Sequence, residues 1–180
     1  MWFRSEPPEM PARKQLRLKC FDYTSGAAYF VTICTYERAR LFGQIVSAGT
    51  GNAPYLQPEP HSPDQMVGKW LHELENRFPE ITLDEWIVMP DHVHFILFQN
   101  RVSSPTGSCA SLQDILKWLK TQTTNEYIRG VKCGMYQPFH KHVWQRGYYE
   151  HIIRNDQDLM ETRQYILANP IRWLEKQAHK

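Results

Sequence analysis

No stretch of this chain approaches the apolar length that crosses a bilayer, and Met1-Trp2-Phe3-Arg4-Ser5-Glu6-Pro7-Pro8 lacks the apolar core of a secretory signal. Both absences argue against a membrane or exported protein and lead to the expectation of a cytoplasmic one. The four cysteines, Cys20, Cys34, Cys109 and Cys133, show no C-x-x-C spacing, which excludes a zinc knuckle and a disulfide framework and leaves reduced, packed thiols. There is no internal repeat and no RNP-type aromatic signature. Neither sign of charge dominates: a formal net charge of +2 does not by itself announce a nucleic-acid partner. Apolar residues, by contrast, make up 42% of the 180 positions, which suits one domain with a sizeable core.

Periodicity places the elements. Tyr29 to Thr35 alternates as a strand, with Leu41 to Val46 as a candidate partner, and the prolines and glycines from Gly49 to Pro63 mark a loop. Ser62-Pro63 opens a helix whose Met66, Val67, Trp70, Leu71, Leu74 and Phe78 recur at helical spacing before Pro79. Ile81 to Met89 and His92 to Gln99 read as two strands joined by a tight Pro90-Asp91 turn. Ser111 then caps a helix with Asp114 at its third position, burying Leu112, Ile115, Leu116 and Leu119 and running up to Gly130. Interspersed strands and helices with a hairpin predict an α+β sandwich.

Within that pattern, Met89-Pro90-Asp91-His92-Val93-His94-Phe95-Ile96-Leu97-Phe98 sets two histidines, one residue apart, in an aliphatic strand. Side chains alternate across a strand, so His92 and His94 share a face. Imidazoles among apolar neighbours need partners; hydrogen bonds to neighbours or a divalent ion taking both nitrogens would satisfy them. Near the C-terminus, Asn155 caps a predicted helix with acidic residues in its first turn, and Pro170 ends it after about three to four turns. Leu159, Met160, Ile166 and Leu167 form its apolar stripe. Tyr165 falls nearly opposite, beside Asp158, Thr162 and Asn169, which predicts a hydroxyl offered to solvent or a ligand. Asn169, one turn further on, is placed to give an oxygen to an ion held by the histidine pair.

Charge is unevenly distributed. Arg13, Lys14, Arg17 and Lys19 fall in seven residues without an acid, and Lys117, Lys120, Arg129 and Lys132 form a second basic group. Such runs are ordinarily solvated surface; beside a phosphodiester site they are phosphate contacts.

Taken in order, Arg13-Lys14-Gln15-Leu16-Arg17-Leu18-Lys19, Phe21-Asp22-Tyr23, Ala28-Tyr29-Phe30-Val31-Thr32-Ile33-Cys34-Thr35, Leu41-Phe42-Gly43, Met89 to His94, Val143 to Arg154 and Tyr165-Ile166-Leu167-Ala168-Asn169-Pro170 resemble the landmarks of a known family. It is that of the His-hydrophobic-His plus tyrosine (HUH) single-strand endonucleases, and within them the REP-associated tyrosine transposases. The resemblance runs from about residue 13 to 173; Ser47 to Pro63 and the N-terminal decapeptide depart from it. It implies a ferredoxin-like or RRM-like antiparallel sheet with helices mainly on one face, the HUH endonuclease fold. Residues 1–12 would be an extension, and 13–180 one domain with a basic DNA-contacting arm. The implied partner is single-stranded DNA with hairpins, and the protein is either a monomer or a homodimer.

The chemistry these groups can perform is transesterification. On this resemblance Tyr165 would attack a DNA phosphodiester, giving a 5′-phosphotyrosine and a free 3′-hydroxyl, while His92, His94 and Asn169 would hold one Mg²⁺ or Mn²⁺. No base is identified; Asp91 and Glu150 are candidates that serve equally as turn or strand-end residues. Tyr148 and Tyr149 compete as nucleophiles, although their strand-like context favours packing. Two rival readings remain: a non-catalytic single-strand-binding module stacking bases on Tyr29, Phe30, Tyr148 and Tyr149, and a metallohydrolase that adds His140 and His142 to the first histidine pair. A covalent protein–DNA adduct separates them from the transposase.

Overall fold

A computed structural model describes residues 27–46, 55–56, 61–99 and 109–178. In chain order the elements are β1 (Ala27–Cys34), β2 (Ile45–Val46), β3 (Tyr55–Leu56), α1 (Pro63–Arg77), β4 (Ile81–Met89), β5 (His92–Gln99), α2 (Leu112–Lys132), β6 (Tyr149–Ile153) and α3 (Asp156–Ala178). Four of the strands form an antiparallel sheet in the order β4-β5-β1-β6. With α1 joining β1 to β4 and α2 joining β5 to β6, this is the βαββαβ order of a ferredoxin-like sheet, and it agrees with the expected α+β class.

Alternation along the strands divides the sheet into two faces. Tyr29, Val31 and Ile33 of β1 and Val93, Phe95 and Leu97 of β5 pack with Leu71 and Leu74 of α1 and Ile115 and Leu119 of α2 in the main core. Phe30 and Ile96 point the other way and pack with Ile166 of α3 in a smaller one. Two helices therefore cover one face, and the third crosses the other. The α2 cap is as expected, with Ser111 Oγ accepting from the Asp114 amide at 3.2 Å.

Three expectations fail for identifiable reasons. Leu41 to Val46 does not pair with β1, because β5 and β6 already occupy both of its edges. Leu41 and Phe42 instead turn into the core, and only Ile45–Val46 is strand, paired with Tyr55–Leu56. Pro170 does not end α3, which continues to Ala178. An internal proline loses one helical hydrogen bond and costs about 3 kcal/mol or more, so tertiary contacts must offset it. Pro170 itself is buried, Trp173 lies 5.9 Å from the His92 ring, and Arg40 bonds Gln177 at 2.8 Å. The packed-thiol expectation holds for Cys34, which is buried, while Cys133 is exposed and Cys20 lies outside the described residues.

The third failure concerns which side of α3 faces the sheet. Met160 and Leu167 of the expected apolar stripe are 57% and 64% exposed, whereas Thr162, Ile166 and Asn169 are buried. The sheet surface beneath α3 carries two histidines and a threonine, so a mixed helix face matches it better than a purely apolar one. Arg163 fixes this orientation through a bidentate ion pair with Asp84 of β4, at 2.7 and 2.8 Å.

Candidate active site

His92 and His94 project from the same face of β5, their ring centroids 4.5 Å apart, as strand geometry requires. Each ring is held at Nδ1. Thr32, directly opposite His94 in the β1–β5 register, places Oγ1 2.8 Å from His94 Nδ1. Asp91, at the hairpin turn, holds His92 Nδ1 through its carboxylate and is itself 3.6 Å from Arg38. The turn is anchored from the end of β1, where the Thr35 amide and hydroxyl both donate to the Asp91 carbonyl at 2.9 Å.

Burial decides the protonation of the pair. It pushes both imidazoles below their ordinary value of 6.5, His94 well below, with the Asp91 carboxylate partly opposing the effect at His92. Both rings are therefore neutral at neutral pH. His94 Nε2, the ring nitrogen away from Thr32, is buried and makes no hydrogen bond among the described residues; in the tautomer whose Nδ1–H donates to Thr32 it is an acceptor. A buried polar atom left in this state costs about 1–3 kcal/mol.

Tyr165 approaches from α3. Its ring meets Phe30 edge-on at 5.8 Å and His94 at 5.4 Å, so it faces the sheet rather than solvent, against the expectation from the helical wheel. Burial raises its phenol above the ordinary value of 10.0, while a hydrogen bond from Asn169 and the positive charges of Arg172 and Arg38 oppose the rise. The Arg172 guanidinium sits 5.1 Å from the Tyr165 ring centroid. Asn169 also acts on His92, opposing the effect of burial there as it does at Tyr165, so a single amide lies beside both the tyrosine and the histidine pair. Among the described residues no group of three His, Cys, Asp or Glu side chains is placed to hold a metal. Asn169 is the amide beside the pair.

His92, His94, Tyr165 and Asn169 are thus brought together from β5 and α3. His140 and His142 are not part of this group: they are exposed and lie against the ring of Tyr36. Tyr149 is half-buried with its phenol pushed up by burial, consistent with packing. Arg13, Lys14, Arg17 and Lys19 lie outside the described residues. Sequence reasoning missed Thr32, Arg38 and Arg172. Arg172 falls seven residues after Tyr165 and so on the same helix face, but reading Pro170 as a stop hid it. Thr32 is visible only once the β1–β5 register is known.

A family profile described as "Transposase IS200 like" matches residues 27–169, spanning the sheet, the histidine pair and the tyrosine helix. The chain belongs to the IS200-like transposase family. An IS200-like transposase is an enzyme that acts on DNA, and the reading of this chain as a DNA transposase rests on that membership. An uncharacterized protein of Haemophilus influenzae is 31% identical over 177 residues, covering 93% of each chain. The REP-associated tyrosine transposase of Escherichia coli is 28% identical over 96 residues, 52% of this chain and 48% of that one. Among solved structures, a REP-associated tyrosine transposase bound to a REP hairpin is similar with a TM-score of 0.54 at 23% identity, covering 84% of this chain and 71% of that one. The likeness in structure shows the HUH fold. No helix among the described residues is long and apolar enough to cross a membrane.

Proposed function

We propose that this transposase cleaves and rejoins single-stranded DNA beside hairpins through a covalent tyrosine intermediate. The observation that carries the reading is Tyr165 packed against His94 and hydrogen-bonded to Asn169, which also lies beside His92. The Tyr165 oxygen attacks the phosphorus, forming a phosphotyrosine at the 5′ end, and the bond from phosphorus to the 3′ oxygen breaks to leave a 3′-hydroxyl. Attack by another 3′-hydroxyl reverses the step and joins strands. One phosphodiester is exchanged for another, so no nucleotide cofactor is consumed.

The residues present fit one divalent ion, Mg²⁺ or Mn²⁺. Two neutral imidazoles, one with a buried unpaired nitrogen, and an amide oxygen would hold such a cation and leave its other positions to water and substrate oxygens, the donors that Mg²⁺ and Mn²⁺ prefer. When bound, the ion supplies Lewis-acid polarisation of the scissile phosphate. The chain itself provides the remaining functions: Asp91 and Thr32 orient the imidazoles, Phe30 seats the tyrosine ring, and Arg172 and Arg38 bring positive charge towards the reacting phosphate. Choice of single-stranded, hairpin-bearing DNA is supported by the REP hairpin bound to the structurally similar transposase and by the REP association of the Escherichia coli relative. The basic run Arg13, Lys14, Arg17 and Lys19 is proposed to clamp nucleotides flanking the hairpin, and the protein to work in the cytoplasm.

Incubation with hairpin oligonucleotides carrying unpaired flanks plus Mg²⁺, followed by a denaturing gel and peptide mapping, tests the reading. An adduct on Tyr165 is expected. Product release without any adduct, or binding without cleavage, would replace it with a hydrolase or a binding module respectively.

A further inference from the structure

A second feature lies at the same end of the sheet but on the side of α2. Between α2 and the segment from Phe139 to Tyr148 is a cleft of about 600 Å³. Four cations line it, Lys117 and Lys120 from the helix and Lys141 and Arg146 from the segment, and among the described residues no aspartate or glutamate does. Phe139, Trp144 and Tyr148 supply aromatic surface along the same wall, and Phe139 and Tyr148 are only half-buried. The sequence groups Lys117 and Lys120 with Arg129 and Lys132; the fold separates them and puts Lys141 and Arg146 beside the first two.

The cleft is continuous with the active-site end of the sheet through the tip of β1. Gln145 donates to the Cys34 carbonyl at 2.9 Å and Tyr36 to the Val143 carbonyl at 3.0 Å, which lays the segment along the strand end. Trp144 bridges to Thr35, whose hydroxyl and amide hold the Asp91 turn. Arg38, ion-paired to Asp91, reaches Cys34 Sγ at 3.1 Å. Lys120 acts on the same thiol from the cleft side, and its ammonium donates to the carbonyls of Gln145 and Gly147 at 2.9 and 2.5 Å. The wall of the cleft is therefore built as one unit with the turn that positions the histidines.

Lys117, Lys141 and Arg146, with Lys120 committed to the two carbonyls and no acid among the described lining residues, select a polyanion, and half-buried aromatic rings select something with flat apolar faces. A volume in the range of about 300–1,000 Å³ typical of ligand sites exceeds what a lone phosphate needs. We propose that this cleft holds unpaired nucleotides of the DNA strand that flanks the scissile phosphate, with phosphates on Lys117, Lys141 and Arg146 and bases against Phe139 and Tyr148. The proposal rests on the reading of the active site as a single-strand nuclease. The cleft sets how tightly the flank is held and leaves the chemical step to Tyr165.

The test uses fluorescence anisotropy with a labelled hairpin oligonucleotide, with and without unpaired flanks, on the Tyr165→Phe protein to prevent turnover. Lys117→Glu together with Arg146→Glu, both at exposed positions, is expected to weaken binding of the flanked hairpin about tenfold. At about 0.7 per single-strand phosphate contact, losing two such contacts should lower the slope of log affinity against log salt by about 1.4. Lys132→Glu, an exposed cation outside the cleft, should change neither. A 4-thiothymidine placed in the flank should cross-link to peptides containing Phe139 or Tyr148. Unchanged affinity and slope in the double variant would overturn the proposal. So would an equal loss on the flankless hairpin, which would assign the cations to duplex. Adduct formation by the unsubstituted protein is scored in parallel: flank-dependent binding without any adduct removes the nuclease reading alone, and an adduct with flank-independent binding removes the cleft alone.

Discussion

Thr32 and His94 face each other across the β1–β5 ladder, with the threonine hydroxyl 2.8 Å from Nδ1. That bond holds the ring at one nitrogen; the other is buried and makes no hydrogen bond among the described residues, and the ring centroid lies 5.4 Å from that of Tyr165 on α3. Asp91 does the same for His92 from the adjoining turn. Partners of this kind typically contribute about 10–100-fold in metal affinity. Thr32→Val and Asp91→Asn should each raise the Mn²⁺ dissociation constant by that order in a calorimetric titration, with Thr32→Ser restoring most of it. Unaltered affinity in both variants would leave these residues a purely structural role.

Tyr165→Phe should abolish adduct formation, whereas Tyr148→Phe and Tyr149→Phe should retain it. The phenol is hydrogen-bonded to Asn169 rather than offered to solvent, so a loss of about 1 kcal/mol in unfolding free energy is expected on top of inactivity. Peptide mapping of the adduct decides the assignment: a modified Tyr148 or Tyr149 would transfer the role.

Asn169→Ala removes the amide that lies beside both the tyrosine and the histidine pair. Cleavage should weaken, and the Mg²⁺ concentration for half-maximal rate should rise. A wild-type Mg²⁺ titration would take Asn169 out of the site without affecting the histidines, whose replacement by alanine should abolish cleavage outright.

The buried histidines make a prediction about acid stability. Their folded-state values lie below the 6.5 of an ordinary histidine, so at pH between the two the unfolded chain takes up protons that the native protein does not. Stability from this source is complete above pH 6.5 and declines as pH falls through it. Melting temperatures of the metal-free protein from about pH 5 to about pH 8 should show that decline. His94→Gln should flatten it; an unchanged profile would mean that other groups govern acid unfolding.

Arg163 and Asp84 tie the middle of α3 to the edge strand β4, with side chains 40% and 20% exposed. An exposed bidentate pair contributes about 1 kcal/mol or less, and a double-mutant cycle by denaturant unfolding should return a coupling of that size. The same helix carries Tyr165 and Asn169, so Asp84→Ala should slow cleavage more than it weakens DNA binding. Equal effects on both would argue against a positioning role.

Local patterns were enough to locate the β4–β5 hairpin and both cross-over helices, because alternation and helical periodicity are imposed by chain geometry wherever one side is buried. They also put His92 and His94 on one face, since a period of two holds in any strand. Tyr165 and Asn169 could be paired from sequence for the same reason, one helical turn apart. Which way that turn faces could not be read: a helical wheel ranks faces by apolarity, but the sheet surface awaiting α3 is partly polar, so Tyr165 went inward and Met160 and Leu167 outward. The sequence also could not show α3 passing through Pro170, because the contacts that offset its cost come from Arg40 and His92, far earlier in the chain. Thr32 beside His94 and Lys120 beside Arg146 are likewise products of register and crossover. Chain geometry determined the elements and the residue types available for chemistry, and long-range packing alone decided which of them meet.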